Sequence, residues 1–289
     1  MSRFSRFMAI DWSGAAGERH KGIALALADH DGGPPVLIAP PPKGWSRTEA
    51  LALITEAAKD DTLIGADLGI SLPFCDRGAF FPGWQHSPHN ARALWAMIDE
   101  ICTDDPHFGA ASFTDHAEIA RYFRRHGGRE GDLFGGGRGR LRVTEHAQAR
   151  MGLAPYSNFN LVGAAQVGKS SLTGMRLLHR LAGRLAVWPV DPLPQTGAVL
   201  CEIYTSLAAL EAGRSPARAK MRSVEELNAA LAAVGSPPIM AAGAIDDHSA
   251  DALLTAAWLR KVHGETARWN PAALTPEIAR TEGWTFGAF

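Results

Sequence analysis

The stretch Phe7-Met8-Ala9-Ile10-Asp11 is a short apolar run that ends in a carboxylate, and it decides how the rest of the chain can fold. Two later runs have the same form: Leu63-Ile64-Gly65-Ala66-Asp67 and Ala198-Val199-Leu200-Cys201-Glu202. A fourth acid, Asp251, lies near the start of an apolar helix. A carboxylate at the end of a buried strand is costly to desolvate unless it is paired or bound to a cation. Several acids in this position therefore predict one shared site for a divalent metal.

The composition is that of an ordinary globular protein. The chain has 289 residues, of which 46% are hydrophobic and 20% charged, enough for one large α/β domain or two small ones. A net charge of −1 supplies no global attraction for nucleic acid, so any such binding must come from local patches. Without a run of about 18 apolar residues or a secretory leader, we expect no membrane partner and a cytoplasmic location.

The order of the predicted elements indicates an α/β fold. Three apolar runs predict consecutive strands, at Phe7 to Ile10, Ile23 to Leu27 and Pro35 to Ala39. The first of these strands is expected near the centre of the sheet. A helix follows Ser46, with Glu49 completing a capping box, and a fourth strand ends at Asp67. The order strand-strand-strand-helix-strand, with acids closing the first and fourth strands, resembles that of the ribonuclease H-like fold.

An irregular segment from about residue 71 to residue 153 interrupts this pattern. We interpret it as an insertion within a single domain of residues 1–289, with helices near Ala91 to Ile101 and Thr114 to Arg125. The core pattern then resumes with further elements: a helix at Ser171 to Arg184, a strand at Val199 to Tyr204, a helix at Val224 to Val234 and the final helix at Asp247 to His263. The chain after Trp269 is predicted to be an irregular surface wrap.

The predicted insertion carries a basic cluster. Seven arginines with interleaved glycines lie between Arg121 and Arg142. Flexible basic loops suit phosphate backbones, so Arg138, Arg140 and Arg142 are the candidate contacts to nucleic acid. A solvated insertion loop is the alternative interpretation.

Each acid of the candidate site also has a structural interpretation. Asp11 and Asp67 could each close an Asx-turn, and Glu202 could pair with an arginine. His248 and Asp251, three residues apart, share a helix face; His248 could be a metal ligand, a general base or a histidine at a helix start. The joint occurrence of these residues favours a site.

A second motif points to different chemistry. Gly163-Ala164-Ala165-Gln166-Val167-Gly168-Lys169-Ser170 matches the phosphate-binding loop G-x-x-x-x-G-K-[ST]. That loop needs a strand directly before it and a helix directly after it. Only the helix is predicted here, because the preceding Tyr156 to Val162 makes a poor buried strand. The match therefore predicts no nucleotide site by itself.

Several of these segments together resemble a known family, domain of unknown function 429, whose members are predicted nucleases of the ribonuclease H-like fold. The resemblance covers most of the chain, and it is carried by Ala9 to Gly14, Gly65 to Pro73, Gly163 to Met175, Val187 to Asp191, Cys201 to Tyr204 and Asp247 to Leu253. The closing segment also resembles that of RuvC-type Holliday-junction resolvases, whose last helix carries two metal ligands three residues apart. His248 and Asp251 match that pair. Thr205 departs from the proline that is common in the family after the tyrosine.

The residues and the resemblance together predict a metal-dependent nuclease or phosphodiesterase with a ribonuclease H-like mixed sheet flanked by helices. Asp11 would bridge two Mg²⁺ or Mn²⁺ ions, Asp67 would hold one of them and Asp251 the other. Glu202 or His248 would orient the attacking water or serve as an additional ligand. The substrate would be DNA or RNA.

Two other functions stay open at this stage. One is an ATP-dependent phosphotransferase of the related actin-like or sugar-kinase fold, which usually needs two copies of the fold. The other is a non-catalytic binding protein on the same fold.

Overall fold

The apolar runs closed by acids form strands of one mixed sheet. The computed structural model describes residues 3–163, 167–215 and 220–289. Within these residues the strands are β1 (Arg6–Asp11), β2 (Ala24–Asp29), β3 (Val36–Leu37), β4 (Thr62–Asp67), β5 (Ala186–Trp188) and β6 (Val199–Glu202). Their order across the sheet is β3-β2-β1-β4-β6-β5. The pairs β1–β2 and β2–β3 are antiparallel, whereas β1, β4, β6 and β5 run parallel. The α/β class and the interior position of β1 are therefore confirmed.

Helices flank both faces of this sheet. They are α1 (Arg47–Ala57), α2 (Ala91–Ile101), α3 (Ala111–Asp115), α4 (Val143–Arg150), α5 (Val167–Arg180), α6 (Thr205–Glu211), α7 (Val224–Ala233), α8 (Asp247–Val262), α9 (Thr266–Trp269) and α10 (Pro276–Thr281). The predicted capping box of α1 is present, because Ser46 Oγ accepts from the Glu49 amide and the Glu49 carboxylate accepts from the Ser46 amide. None of the helices in the described ranges is both long and apolar enough to cross a lipid bilayer.

The alternation of side chains along β1 divides the core into two layers. Met8 and Ile10 belong to one apolar cluster together with residues of α1, α2 and α5. Phe7 and Ala9 belong to the other, together with residues of α6, α7 and α8. Successive side chains of a strand leave opposite faces, which is why the central strands are apolar throughout. Burial on both sides fixes the register of the sheet, because a slip by one residue would exchange the two faces.

Helix α8 lies unusually close to β4. A Cβ atom at Gly65 would lie 2.8 Å from both Leu259 of α8 and Ile203, closer than carbon atoms can approach. Glycine at this position therefore lets α8 approach the sheet. The same helix packs along β1 and β2, so its amino-terminal turn lies at the edge where β1 and β4 end.

The segment from residue 71 to residue 153 differs in part from its prediction. Helix α2 has the predicted bounds, but the predicted helix at Thr114 to Arg125 is wrong. Helix α3 ends at Asp115, a short 3₁₀ turn covers Ile119–Tyr122, and Phe123 is extended. Tyr122 and Phe123 are buried with Phe159 in the first apolar cluster, and Phe123 meets Phe159 edge to face at 5.0 Å. This aromatic packing outweighs the local helical pattern.

The chain after Trp269 is not the surface wrap that the sequence suggested. Trp284, Phe286 and Ala288 are fully buried in the second apolar cluster. The Phe286 amide donates to the Glu202 carbonyl at 2.8 Å, which continues the hydrogen bonding of β6. The Glu282 carboxylate accepts from three backbone amides of the segment 71–153. The tail thus ties the segment 71–153 to the sheet.

Replacement of Trp284 by alanine tests whether the tail is part of the core. Trp284 has no exposed surface and its indole N–H donates to the Ala288 carbonyl at 3.0 Å. We expect Trp284→Ala to lower the free energy of unfolding by about 3–5 kcal/mol, the usual cost of a large cavity. Phe289→Ala is the matched control, since Phe289 is 45% exposed, and its effect should stay within about 0.5 kcal/mol. Urea unfolding followed by circular dichroism measures both effects. Equally small effects of the two substitutions would contradict the burial of the tail in the core.

Candidate functional site

Asp11 and Asp67 are the last residues of neighbouring parallel strands. They are direct partners in the β1–β4 register. Adjacent strands lie about 4.8 Å apart, and residues level with one another leave the sheet on the same face. Asp11 comes two residues after Ala9, and Asp67 comes two residues after Gly65. Residues two apart in a strand leave the same face. Because Ala9 and Gly65 face α8, both carboxylates point to the side covered by α8. The prediction that these two acids meet at one edge therefore agrees with the register.

The first turn of α8 brings two more polar side chains to this edge. Asp246 caps the helix by accepting from the Ser249 amide at 3.0 Å. His248 follows, and its Nδ1 lies 3.1 Å from Asp11 Oδ2, the distance of a hydrogen bond from imidazole to carboxylate. Asp251 is one turn further along, close enough for its charge to act on Asp67.

Burial and mutual repulsion disturb the ionisation of these groups. Burial is the largest cause that raises the pKa of Asp11, and the bond to His248 partly offsets it. Burial followed by the charges of Asp11 and Asp251 holds the pKa of Asp67 well above its usual range. Burial followed by the charges of Asp11 and Asp247 raises the pKa of Asp251 to about 7. The hydrogen bond to Asp11 raises the pKa of His248.

Among the described residues, His248 is the one basic side chain bound to the acidic cluster. In the described part of the chain, no arginine or lysine forms an ion pair with Asp11, Asp67 or Asp251, and nearby Lys220 is paired with Asp247 at 2.7 Å. Carboxylates that are not paired with arginine or lysine are the donor type that Mg²⁺ and Mn²⁺ prefer. As they stand, no three His, Cys, Asp or Glu side chains of the described residues are spaced to hold an ion. The donor chemistry fits a hard cation, but the donors do not form a closed set.

Glu202 does not join these acids. In the β4–β6 register Glu202 is level with Ala66, one residue before Asp67, so its side chain leaves the opposite face. Both carboxylate oxygens are occupied: Arg142 donates to them at 2.5 and 2.8 Å, Thr285 at 2.5 Å and the Ile70 amide at 2.8 Å. The alternative interpretation from the sequence, that Glu202 pairs with an arginine, is therefore the one observed. Glu202 is thus a buried structural anchor in this arrangement.

The predicted basic patch is wrong for two of its three arginines. Arg140 is 7% exposed and donates to the Asp76 carboxylate at 2.6 Å and to three backbone carbonyls. Arg142 is 1% exposed and bonded to Glu145 and Glu202. Neither side chain can reach a nucleic acid. Arg138 is exposed, and its guanidinium lies 5.9 Å from the centre of the Tyr156 ring.

A cavity of about 480 Å³ opens beside Asp67. Its wall includes Trp12, Tyr156 and Tyr204, which the sequence did not suggest as site residues. The neighbouring Thr205 donates its hydroxyl to Asp67 Oδ2 at 3.3 Å. Trp12 and Tyr204 lie in segments that carry the resemblance, and Thr205 directly follows one of them. Tyr156 comes from a separate part of the chain and had no such signal.

The phosphate-loop match lacks the structure that the motif needs. Helix α5 begins at Val167, and three residues of the match, 164–166, lie outside the described residues. The described residues just before them, 156–163, form no strand, only an isolated bridge at Asn160. Lys169 Nζ lies 2.7 Å from His126 Nε2. The absence of a strand at 156–163 agrees with the prediction from sequence.

Comparison of the chain with models of protein families, with curated proteins and with solved structures finds no match. The function must therefore be argued from the site itself.

The contrast between Arg142 and Arg138 gives a direct test of their roles. Arg142→Gln leaves Glu145 and Glu202 buried without their cation, and we expect it to lower the free energy of unfolding by about 3–5 kcal/mol. Arg138→Gln removes the same charge from an exposed position and should change stability by less than about 0.5 kcal/mol. Urea unfolding of the two variants measures the difference. A stable Arg142→Gln protein would contradict the structural role of this pair.

The raised pKa of Asp251 predicts a pH dependence of stability. Its pKa of about 7, against an ordinary 3.8, means that between these values the folded chain retains a proton that the unfolded chain has lost. The proton-linked stability is complete below the unfolded pKa and is lost as pH rises through the folded pKa. We therefore compare the free energy of unfolding of Asp251→Asn with that of the unsubstituted protein in EDTA. As pH rises from about 5 to about 8, this difference should shift in favour of Asp251→Asn by roughly 1–3 kcal/mol. Urea unfolding at both pH values measures this shift, and a pH-independent effect would contradict the assignment.

Proposed function

We propose that the protein is a divalent-metal-dependent phosphodiesterase that acts on nucleic acid and has a ribonuclease H-like fold. The observation that carries the proposal is the in-register pairing of Asp11 with Asp67 beneath Asp251 of α8. At the carboxyl edge of parallel strands these three carboxylates act on one another electrostatically, and none is paired with an arginine or lysine of the described residues. Such an edge is where α/β proteins commonly bind their ligands.

The topology supports the fold part of the proposal. Strands β1, β2 and β3 form an antiparallel meander, α1 follows, and β4 returns parallel to β1. This is the strand-strand-strand-helix-strand order expected of a ribonuclease H-like protein, with the acids at the ends of β1 and β4. The acid-bearing helix α8 on the same face corresponds to the closing helix of the resemblance.

The acids and the histidine have separate roles in this proposal. Asp11, Asp67 and Asp251 would hold Mg²⁺ or Mn²⁺, which when bound supplies a water of lowered pKa and neutralises charge on the phosphate. His248 is 47% exposed and hydrogen-bonded to Asp11 through Nδ1. The Asp11 carboxylate orients the imidazole and raises its pKa, so His248 can hold a proton for the oxygen that leaves the phosphate. Glu202 takes no part, because its oxygens are saturated by Arg142, Thr285 and Ile70.

The substrate would enter through the cavity beside Asp67. Tyr156 is 43% exposed at its rim and Arg138 stands over the tyrosine ring. Aromatic faces stack on nucleobases irrespective of sequence, and an arginine near them can neutralise a phosphate. This pair replaces the larger basic patch that the sequence suggested.

The phosphotransferase alternative has less support. The described strands form one six-stranded sheet, whereas that class usually needs two copies of the fold. A non-catalytic binding protein on this fold stays the principal rival, and it predicts neither metal affinity nor cleavage.

Calorimetric titration with Mn²⁺ tests the proposal. We expect saturable binding to the unsubstituted protein and at least tenfold weaker binding to Asp11→Asn and Asp251→Asn. Asp247→Asn is the matched control, because Asp247 is a neighbouring acid of α8 that is already paired with Lys220 at 2.7 Å; its variant should bind Mn²⁺ like the parent.

Cleavage of single- and double-stranded DNA and RNA with Mn²⁺ completes the experiment. Activity should fall at least a hundredfold in Asp11→Asn and persist in Asp247→Asn. Cleavage by Asp11→Asn with unchanged metal dependence would refute the assignment. Absence of both binding and cleavage in the unsubstituted protein would favour the binding-protein rival.

A further inference from the structure

A second cavity, of about 390 Å³, lies on the other side of the loop that follows β1. Its wall includes the loop Gly14 to Gly17, residues 105–107 and 109–111, and Lys169, Leu172 and Thr173 of α5, together with Arg47 of α1. Gly14 and Ala15 line both cavities. None of the acidic residues of the candidate metal site contributes to this wall.

Arg47 is a buried cation that has no acidic partner among the described residues. Its side chain is 2% exposed. Its guanidinium donates to the carbonyls of Ser13 at 2.9 and 3.2 Å, Ala15 at 2.6 Å and His107 at 2.7 Å. No carboxylate in the described ranges forms an ion pair with it. A guanidinium has five N–H groups, and these four bonds leave one N–H on Nη1 without an acceptor among the described residues.

The backbone beside Arg47 is held in an uncommon conformation. His107 and Phe108 both have φ of 56°, in the left-handed region that residues other than glycine rarely adopt. This turn directs the His107 carbonyl at Arg47. Burial, reinforced by the charge of Arg176, lowers the pKa of Arg47 to about 10. The backbone at His107 is strained, and its carbonyl helps to hold the buried guanidinium at the cavity.

Lys169 adds a second positive charge to the same wall. Its Nζ contacts the imidazole of His126 at 2.7 Å and no carboxylate of the described chain. Asp105 is the one acid among the residues of this wall, but its carboxylate accepts from the amide and hydroxyl of Ser112 at 2.8 and 2.6 Å. Arg176 nearby is paired with Asp99 at 3.1 Å. The wall therefore carries two cations, Arg47 and Lys169, against the single carboxylate of Asp105, and neither cation forms an ion pair with a carboxylate of the described residues.

The rest of the wall is apolar. Ala15, Ala16, Ala110, Ala111 and Leu172 contribute to it. We propose that this cavity binds a small organic anion, in which a phosphate or carboxylate group meets Arg47 and Lys169 and an apolar body lies against the alanines. The volume suits a molecule the size of a substituted benzene ring or somewhat larger, and excludes a folded macromolecule. This site is separate from the proposed metal site, although the loop from Ser13 to Ala15 connects the two.

Calorimetric titration with phenyl phosphate and with benzoate tests this proposal, and phenol is the neutral control. We expect saturable binding of at least one anion and none of phenol. Lys169→Gln removes a charge from the wall, and Ala111→Phe fills the cavity; each should weaken binding at least tenfold. Arg47→Gln is a poor test because Arg47 also supports the loop after β1.

Two control variants separate this site from the rest of the protein. Lys261→Gln removes the same charge from the exposed end of α8 and should bind the anion like the parent. Asp251→Asn should also retain binding, so that failure of the metal proposal leaves this one intact. Tighter binding of phenyl phosphate than of benzoate assigns a phosphate ligand, and the reverse order assigns a carboxylate. Absence of saturable binding of both anions, or binding unchanged in both Lys169→Gln and Ala111→Phe, overturns the proposal.

Discussion

The parallel register of β1 with β4 is the constraint on which the rest of the structure depends. It sets Asp11 level with Asp67 and directs both to the face covered by α8. The apolar residues before the two acids are buried on both faces, so a shift by one residue would move each carboxylate into the opposite core layer. The energy that fixes the site is therefore hydrophobic burial along the strands and not attraction among the acids, which repel one another.

Much of this arrangement could be predicted from sequence, because its signals are local. An apolar run, a capping box at Ser46 and a closing acid are each contained in a few consecutive residues. The face on which a strand-end acid lies is not local. Glu202 closes its run as Asp67 does, but the strands are offset by one residue, and that offset depends on how β6 packs. Sequence pattern alone could not separate the two acids.

The basic cluster shows that composition alone does not predict whether an arginine is exposed. Seven arginines in a glycine-rich segment have the composition of a solvated loop, yet Arg140 and Arg142 are among the buried side chains of the protein. Asp76, the partner of Arg140, lies 64 residues away, and Arg142 pairs with Glu202, 60 residues away, as well as with the nearby Glu145. A buried arginine and a phosphate-binding arginine have the same sequence signature, since both need a guanidinium and flexible backbone nearby. The distinction lies in long-range contacts.

Those long-range contacts also bear on the order in which the protein can fold. Glu202 obtains its hydroxyl donor from Thr285, 83 residues later, and the amide of Phe74 obtains its acceptor from Glu282, 208 residues later. Until residues 282–285 have been synthesised, the growing chain holds a carboxylate of β6 and several amides without their final partners. Closing such long loops slows folding. The buried network around Glu202 can therefore be completed only after nearly all of the sequence described here has left the ribosome.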